Sequence, residues 1–216
     1  MTLDEKARAL LNYPDRLPDF EMSHELDYGD YNHMGAVITA AILQAGLTWK
    51  TTVKPRVDRV LKDFPGANTT SKFLKLLEVH GCERVMTWQD HEKPARIVGL
   101  AQFLQAENVE TENELRSWIL SGDKETQLLK CRGVGPKTVD FLKMLVGIPT
   151  NAVDRHLAGI VADAGVETSG YQEQHEIINR AADLRDVDRK IFDFSLWKYG
   201  SAKSRRDPAN VKRKCK

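Results

Sequence analysis

Lys137 stands at the exit of a glycine-rich stretch, "CRGVGPKTVD" (131–140), and Asp154 follows 17 positions later in "GIPTNAVDRHL" (147–157). Gly133 and Gly135 permit positive φ and the close approach of another backbone. Pro136 suits the first position of a helix, where its missing N–H costs nothing. A turn of this kind leaves amide N–H groups unpaired at a helix N-terminus, a ready site for an anion such as a phosphate oxygen, and Lys137 adds a positive charge beside it. Such an arrangement grips a nucleic-acid backbone without reading bases. The same residues also suit a plain turn between packed helices, with Lys137 in water. Asp154 stands where an N-cap belongs, just before "RHLAGIVADAG".

The elements that must position these residues read as helix after helix. "DEKARALLN" near the start is amphipathic, and "HMGAVITAAILQAGL" (33–47) is apolar nearly all round, which marks a buried helix. "TWKTTVKPRVDRVLKDF" is bent or begun by Pro55 and ended by "PGANTT". The next helix is "EKPARIVGLAQFLQAEN", with Ile97, Leu100, Ala101 and Leu104 at 3.6-residue spacing. "ENELRSWILSG" and "KETQLLKC" precede the glycine turn; "PKTVDFLKMLVG" leaves it with Phe141, Leu142 and Leu145 on one face. "DRHLAGIVADAG", "YQEQHEIINRAADL" and "DVDRKIFDFSLWKYG" complete the set. No period-2 run marks a strand, so the fold class is all-α, and short connections suit packed helices.

Composition narrows the function classes. With 41% hydrophobic and 29% charged residues the chain reads as an ordinary globular protein. No apolar run approaches the ~20 residues of a membrane helix, and the first residues lack the apolar centre of a signal peptide, so no membrane partner and a cytoplasmic location are expected. Three cysteines, Cys82, Cys131 and Cys215, are too few and too scattered for a disulfide framework or a four-thiolate cluster. No zinc spacing occurs among the six histidines, and "DYGDYNH" (27–33) reads as a polar turn rather than a ligand set, so no metal is expected. Net charge is +1, but the stretch 203–216, "KSRRDPANVKRKCK", carries seven basic residues and one acid, leaving −5 on the rest. A basic arm on a mildly acidic body suits contact with phosphates, or else is a solvated terminus.

Residues 128–160 resemble the helix-hairpin-helix DNA glycosylases, in particular endonuclease III and its relatives. The family pattern joins a hairpin, L-x-G-V-G-x-K-T-A, to a P-T-x-A-V-D-T-H segment; this chain has "LKCRGVGPKTV" and "IPTNAVDRHL". A weaker likeness runs from about residue 34 to 200. The resemblance implies two helical subdomains with a DNA-binding cleft between them: a six-helix domain over 31–149, containing the helix-hairpin-helix at about 123–147, and a second domain from 1–30 plus 150–216. It implies Lys137 as nucleophile, Asp154 as catalytic carboxylate, and DNA contacts from Gly133, Val134, Gly135, Arg155 and His156. Gln44, in "AILQAGLTW", matches a glutamine that fills the gap left by a flipped base, or is simply a polar helix end. Trp88 and Gln89 precede the helix that a wedge residue precedes in the family; Trp88 also reads as a core aromatic. Tyr28, Tyr31 and Trp49 are candidates for a base pocket, with core packing the alternative for Trp49. Two departures stand out. The place of the family's iron–sulfur loop holds only Cys215, so no cluster and no cofactor are expected, and Arg155 replaces a threonine.

The implied partner is double-stranded DNA with a damaged or mismatched base, met by a monomer. The base must be rotated out of the stack before chemistry. A carboxylate beside the anomeric carbon stabilises the positive charge that develops there. A lysine attacks only as the neutral amine; burial and the positive end of a helix both favour that form. Attack at C1′ would expel the base and give a Schiff base, whose 3′ phosphate is then eliminated: a glycosylase with associated abasic-site (AP) lyase activity. The alternatives are a monofunctional glycosylase, such as an alkyl-purine enzyme of the 3-methyladenine (Tag) type whose Q-A-G-L-S-W resembles "QAGLTW" here, and a non-catalytic helix-hairpin-helix module that only binds DNA.

Overall fold

The structure is a computed structural model that describes residues 1–17 and 19–206, without the side chains of 205 and 206. Among the described residues every regular element is helical. The chain forms two compact units: one spans Tyr28–Ile148, the other takes in Met1–Asp27 and the chain from Pro149 on.

The unit Tyr28–Ile148 is built round α2 (Met34–Leu43), in which every residue is buried. His33 caps it: Nδ1 accepts from the Ala36 N–H at 3.2 Å, and Nε2 lies 3.0 Å from the Phe64 carbonyl. The "DYGDYNH" stretch is therefore a turn into a helix, with Gly29, Asp30 and Asn32 at positive φ. A single π-helical turn (Trp49–Val53) leads into α3 (Lys54–Asp63), where Pro55 opens the helix rather than bending it. Two helices follow that the sequence reading leaves unassigned, α4 (Thr70–His80) and α5 (Cys82–Met86). Then come α6 (Glu92–Ala106), α7 (Glu112–Leu120), α8 (Lys124–Leu128) and α9 (Pro136–Leu145). Helices α3, α4, α6 and α9 all pack on α2.

Close approach to α2 depends on Gly35. A Cβ there would sit 2.6 Å from Cδ2 of Phe73 on α4, whose ring is fully buried. A methyl group has nowhere to go, because a ring in a close-packed core cannot move aside freely. Gly35→Ala is therefore expected to destabilise the fold by about 1–3 kcal/mol despite its better helix propensity. Urea unfolding checks this; an unchanged midpoint would show that the α2–α4 contact is looser than drawn.

In the other unit, α1 (Leu3–Asn12) packs on α11 (Tyr171–Arg185), and α10 (Arg155–Asp163) and α11 pack on α12 (Arg189–Arg206). Thr2 and Glu5 form a reciprocal capping box on α1. The core joins Leu10, Leu157, Ile177, Phe192 and Leu196, each with essentially no exposed surface. Gly200 lets α12 run close to α10, since a Cβ there would meet His156 and Ile160 at 3.1–3.3 Å. Among the described residues no helix is long and apolar enough to cross a membrane.

Candidate functional site

Helices α8 and α9 and the turn between them make a helix-hairpin-helix. The first helix is shorter than the sequence suggests, ending at Leu128; residues 129–134 then wind down in a tight turn, with Cys131 N–H donating to Leu128 O and Val134 N–H to Cys131 O, both at 3.0 Å. Lys143 ties the two helices together, bonding Glu125 on α8 at 2.6 Å and Asp140 on α9 at 3.1 Å. Burial acts to lower the Lys143 ammonium's pKa, but the Glu125 and Asp140 carboxylates outweigh it and raise the group above its ordinary range. Val134 points inward, 6% exposed, and so anchors the turn rather than facing outward.

The two glycines differ. Gly133 has φ +81°, a region that L side chains rarely adopt, and the stem of Arg96 from α6 lies across it where a Cβ would stand. Gly135 is extended, at φ −112° and ψ 178°, and serves as N-cap of α9 with no side chain. The expected freedom to take positive φ is thus used only at Gly133. At Gly135 a Cβ would meet nothing within 4 Å, so the surface above it is open to an approaching ligand. Among the described residues the N–H groups of Gly133 and Gly135 take no hydrogen bond, and Pro136 has none to offer. Lys137 is half-buried in the first turn of α9.

Cations gather on the same unit. Arg96 and Arg132 share Glu92, at 2.9 and 3.3 Å. Lys93, half-buried one turn before Arg96, reaches the end of α2 and donates to Ile42 O at 2.9 Å and Ala45 O at 2.8 Å. Gln44 lies inside the turn that Lys93 holds. It is the C-cap of α2, is 9% exposed, and donates its amide to Ala41 O at 3.3 Å. Trp88 is half-exposed, with the Arg56 guanidinium 4.6 Å over its ring and Asp90 accepting from its Nε1, so it is no core aromatic; Gln89 beside it is exposed. Tyr28, Trp49 and Phe141 form an aromatic trio with centroids 5.3–6.0 Å apart, and Trp49, at 8% exposure, belongs to the core. Among the described residues both thiols are held in the protonated, less reactive form: burial, then the Glu83 charge, push Cys82 up to about 12, and burial raises Cys131 in the hairpin.

Asp154 belongs to the other unit and caps α10. Its Oδ1 accepts from His156 N–H at 2.7 Å and Leu157 N–H at 3.1 Å. Among the described residues Oδ2 accepts no hydrogen bond, so the cap fixes the carboxylate and leaves one oxygen for a ligand. The strand of chain before it is pinned in three places. Thr150 Oγ1 meets His175 Nε2 at 2.8 Å, the fully buried Asn151 donates to His175 O at 2.9 Å, and Asp193 of α12 accepts from Ala152 N–H at 2.8 Å. These positioning residues, His175 and Asp193 above all, carry no signal in the sequence. Arg155 is exposed at the start of α10, and His156 next to it is half-buried. Of the basic stretch 203–216, residues 207–216, with Cys215, lie outside the described residues; Lys203 bonds Asp163 at 2.6 Å and so ties α12 to α10.

No protein-family model matches the chain, and no curated protein matches it in sequence. Among solved structures, the chain is similar to a 3-methyladenine DNA glycosylase of H. pylori, MagIII, determined with 1,N6-ethenoadenine bound. The TM-score is 0.58 at 15% identity, over 96% of this chain and 100% of that one. The all-α fold with its helix-hairpin-helix is thus the fold of a known DNA glycosylase.

Proposed function

We propose that this chain is a DNA glycosylase that removes a damaged or mismatched base from duplex DNA, with an associated lyase step through Lys137. The observation that carries the proposal is the hairpin: two amide N–H groups with no hydrogen-bond partner among the described residues, at a helix start, beside a half-buried lysine. A phosphate oxygen satisfies those donors, and the backbone grip holds the strand while one nucleotide leaves the stack. The fold shared with a DNA glycosylase supports the same reading.

In the proposed reaction the neutral Lys137 amine forms a bond to C1′ of the extruded nucleotide as the C1′–base bond breaks. The base departs with the bonding electrons. Asp154 is assigned the stabilisation of the positive charge on the sugar, and the proton that the amine sheds passes to water. Ring opening gives an iminium, and loss of a C2′ proton then expels the 3′ phosphate. Gly133, Gly135 and the residues Arg155 and His156 at the head of α10 are proposed as backbone contacts, and Gln44 as the group that enters the vacated stack. No cofactor takes part.

A second reading has its own support. The structural neighbour is a 3-methyladenine glycosylase, and "QAGLTW" resembles the corresponding stretch of alkyl-purine enzymes. In that reading Asp154 directs a water at C1′, and the strand stays intact. A set of duplexes, each with one modified base (3-methyladenine, 1,N6-ethenoadenine, an oxidised pyrimidine, a mismatched thymine or uracil), tests both. Release of free base from at least one duplex, with strand scission, is the expected result. Release without scission favours the water mechanism. Binding without release from any duplex would leave a DNA-binding module.

A further inference from the structure

We propose that Arg96 and Arg132 form a second phosphate clamp beside the hairpin, and that the Glu92 carboxylate occupies it until a phosphate of the DNA backbone takes its place. The inference rests on the reading of the hairpin as a grip on DNA, and adds to it a neighbouring contact with a built-in competitor.

The clamp joins two elements. Arg96 lies one turn along α6 from Glu92, and its Nη2 donates to Glu92 Oε2 at 2.9 Å. Arg132 reaches the other carboxylate oxygen, Oε1, from the hairpin turn, with its Nη2 at 3.3 Å. One carboxylate thus bridges two guanidinium groups. The hairpin itself fixes the first of them. The stem of Arg96 crosses the point where a Cβ of Gly133 would stand, with Nε 2.8 Å from that point. That Nε is buried and has no hydrogen-bond partner among the described residues, so packing on the glycine sets its place. Glycine at 133 therefore serves twice: it takes the φ of +81° and leaves room for the arginine. Arg132 directly precedes Gly133 in the chain. A strand seated on the amides of Gly133 and Gly135 runs beside both guanidinium groups.

The charges do not balance. Each guanidinium presents several N–H donors in a rigid fork. Among the described residues each spends a bond on the same single carboxylate. Glu92 and Arg132 are 64% and 75% exposed, and an ion pair so open to water contributes little. Exchange of its carboxylate for another oxyanion therefore costs little. A phosphate accepts the same forked bonds from arginine, and in DNA it arrives with neighbours of the same charge. Displaced counterions add to the gain. Glu92 in turn keeps two arginines paired in the free protein, which would otherwise hold any passing polyanion.

The test is the salt dependence of equilibrium binding by the full chain to a short duplex, either undamaged or with one abasic site. Arg132→Met should lower the slope of log affinity against log salt by about one, and weaken binding about three- to tenfold at low salt. The loss should be the same on both duplexes, because a backbone contact carries no base information. Arg132 is exposed, so the fold is not at stake. Glu92→Gln should tighten binding about threefold, and in an Arg96→Met/Arg132→Met background that gain should shrink to less than about 1.5-fold. Methionine keeps the stem over Gly133; if the combined variant does not fold, Arg132→Met alone supplies the background and the gain must still fall. An Arg132→Met slope equal to that of the wild type overturns the clamp. A gain from Glu92→Gln that is undiminished without the arginines shows that Glu92 acts only by repelling DNA, and overturns the exchange. A wild-type chain that binds neither duplex at low salt sinks the reading of the hairpin itself.

Discussion

Lys137→Gln is expected to lower cleavage of abasic-site strands by at least about 10³-fold, the scale of losing a covalent nucleophile. Glutamine spans a similar length and still donates hydrogen bonds, but its amide nitrogen has no basic lone pair. Base release should fall less, because a water placed by Asp154 can replace the amine. Affinity for a lesion duplex should change by no more than about threefold in ordinary salt, since a single phosphate contact at most is lost. Single-turnover gel assays separate the three quantities. Scission at the wild-type rate in Lys137→Gln would remove this lysine as the nucleophile. Uniform loss of affinity and activity would make it a plain phosphate ligand.

The second large effect concerns the carboxylate. Asp154→Asn should slow base release by on the order of 10²–10³-fold, the cost of removing one electrostatic group aimed at developing charge. Stability should stay nearly unchanged. Asparagine caps helices about as well as aspartate, and its carbonyl oxygen can accept the same two bonds from His156 and Leu157. DNA affinity should hold or rise slightly, because a negative charge is gone. Asp154→Ala gives the control: it loses the cap as well, and should lower stability by about 1 kcal/mol. An Asp154→Asn protein that releases base normally would reduce Asp154 to a cap.

The residues that were legible in the sequence are those whose role is local. Pro136 opens α9, and Asp154 caps α10, because each acts on its own first turn. The buried α2 is equally plain, since ten residues with hardly a polar side chain can only be interior. Helix α4 went unassigned although its signals are local: Thr69 caps it, Phe73, Leu74 and Leu77 share a face, and Gly81 ends it; "PGANTT" before it reads as a longer break than the chain makes. The glycines were only half legible. Both fit the turn by type, yet only Gly133 needs positive φ, and that is decided by the path of the chain from Cys131 to Val134.

Tertiary roles left no such trace. Lys93 sits in "HEKPARI" like any lysine near a helix start, and nothing there points to carbonyls some fifty positions earlier. Asn151 and Asp193 are alike: the partners of each are 24 and 41 positions away. Trp88 shows the converse, an aromatic whose type suggests interior but whose ring is covered by Arg56 at the surface.

The central claim, that Lys137 forms the covalent link to the sugar, is tested most directly by locating that link. The wild-type chain is incubated with a duplex holding one abasic site, reduced with borohydride, digested, and mapped by mass spectrometry. The account predicts a reduced sugar adduct on the peptide containing Lys137, on the side-chain nitrogen, and none in Lys137→Gln. An adduct on the N-terminal amine or another lysine, or none from a protein that cleaves the strand, would contradict it.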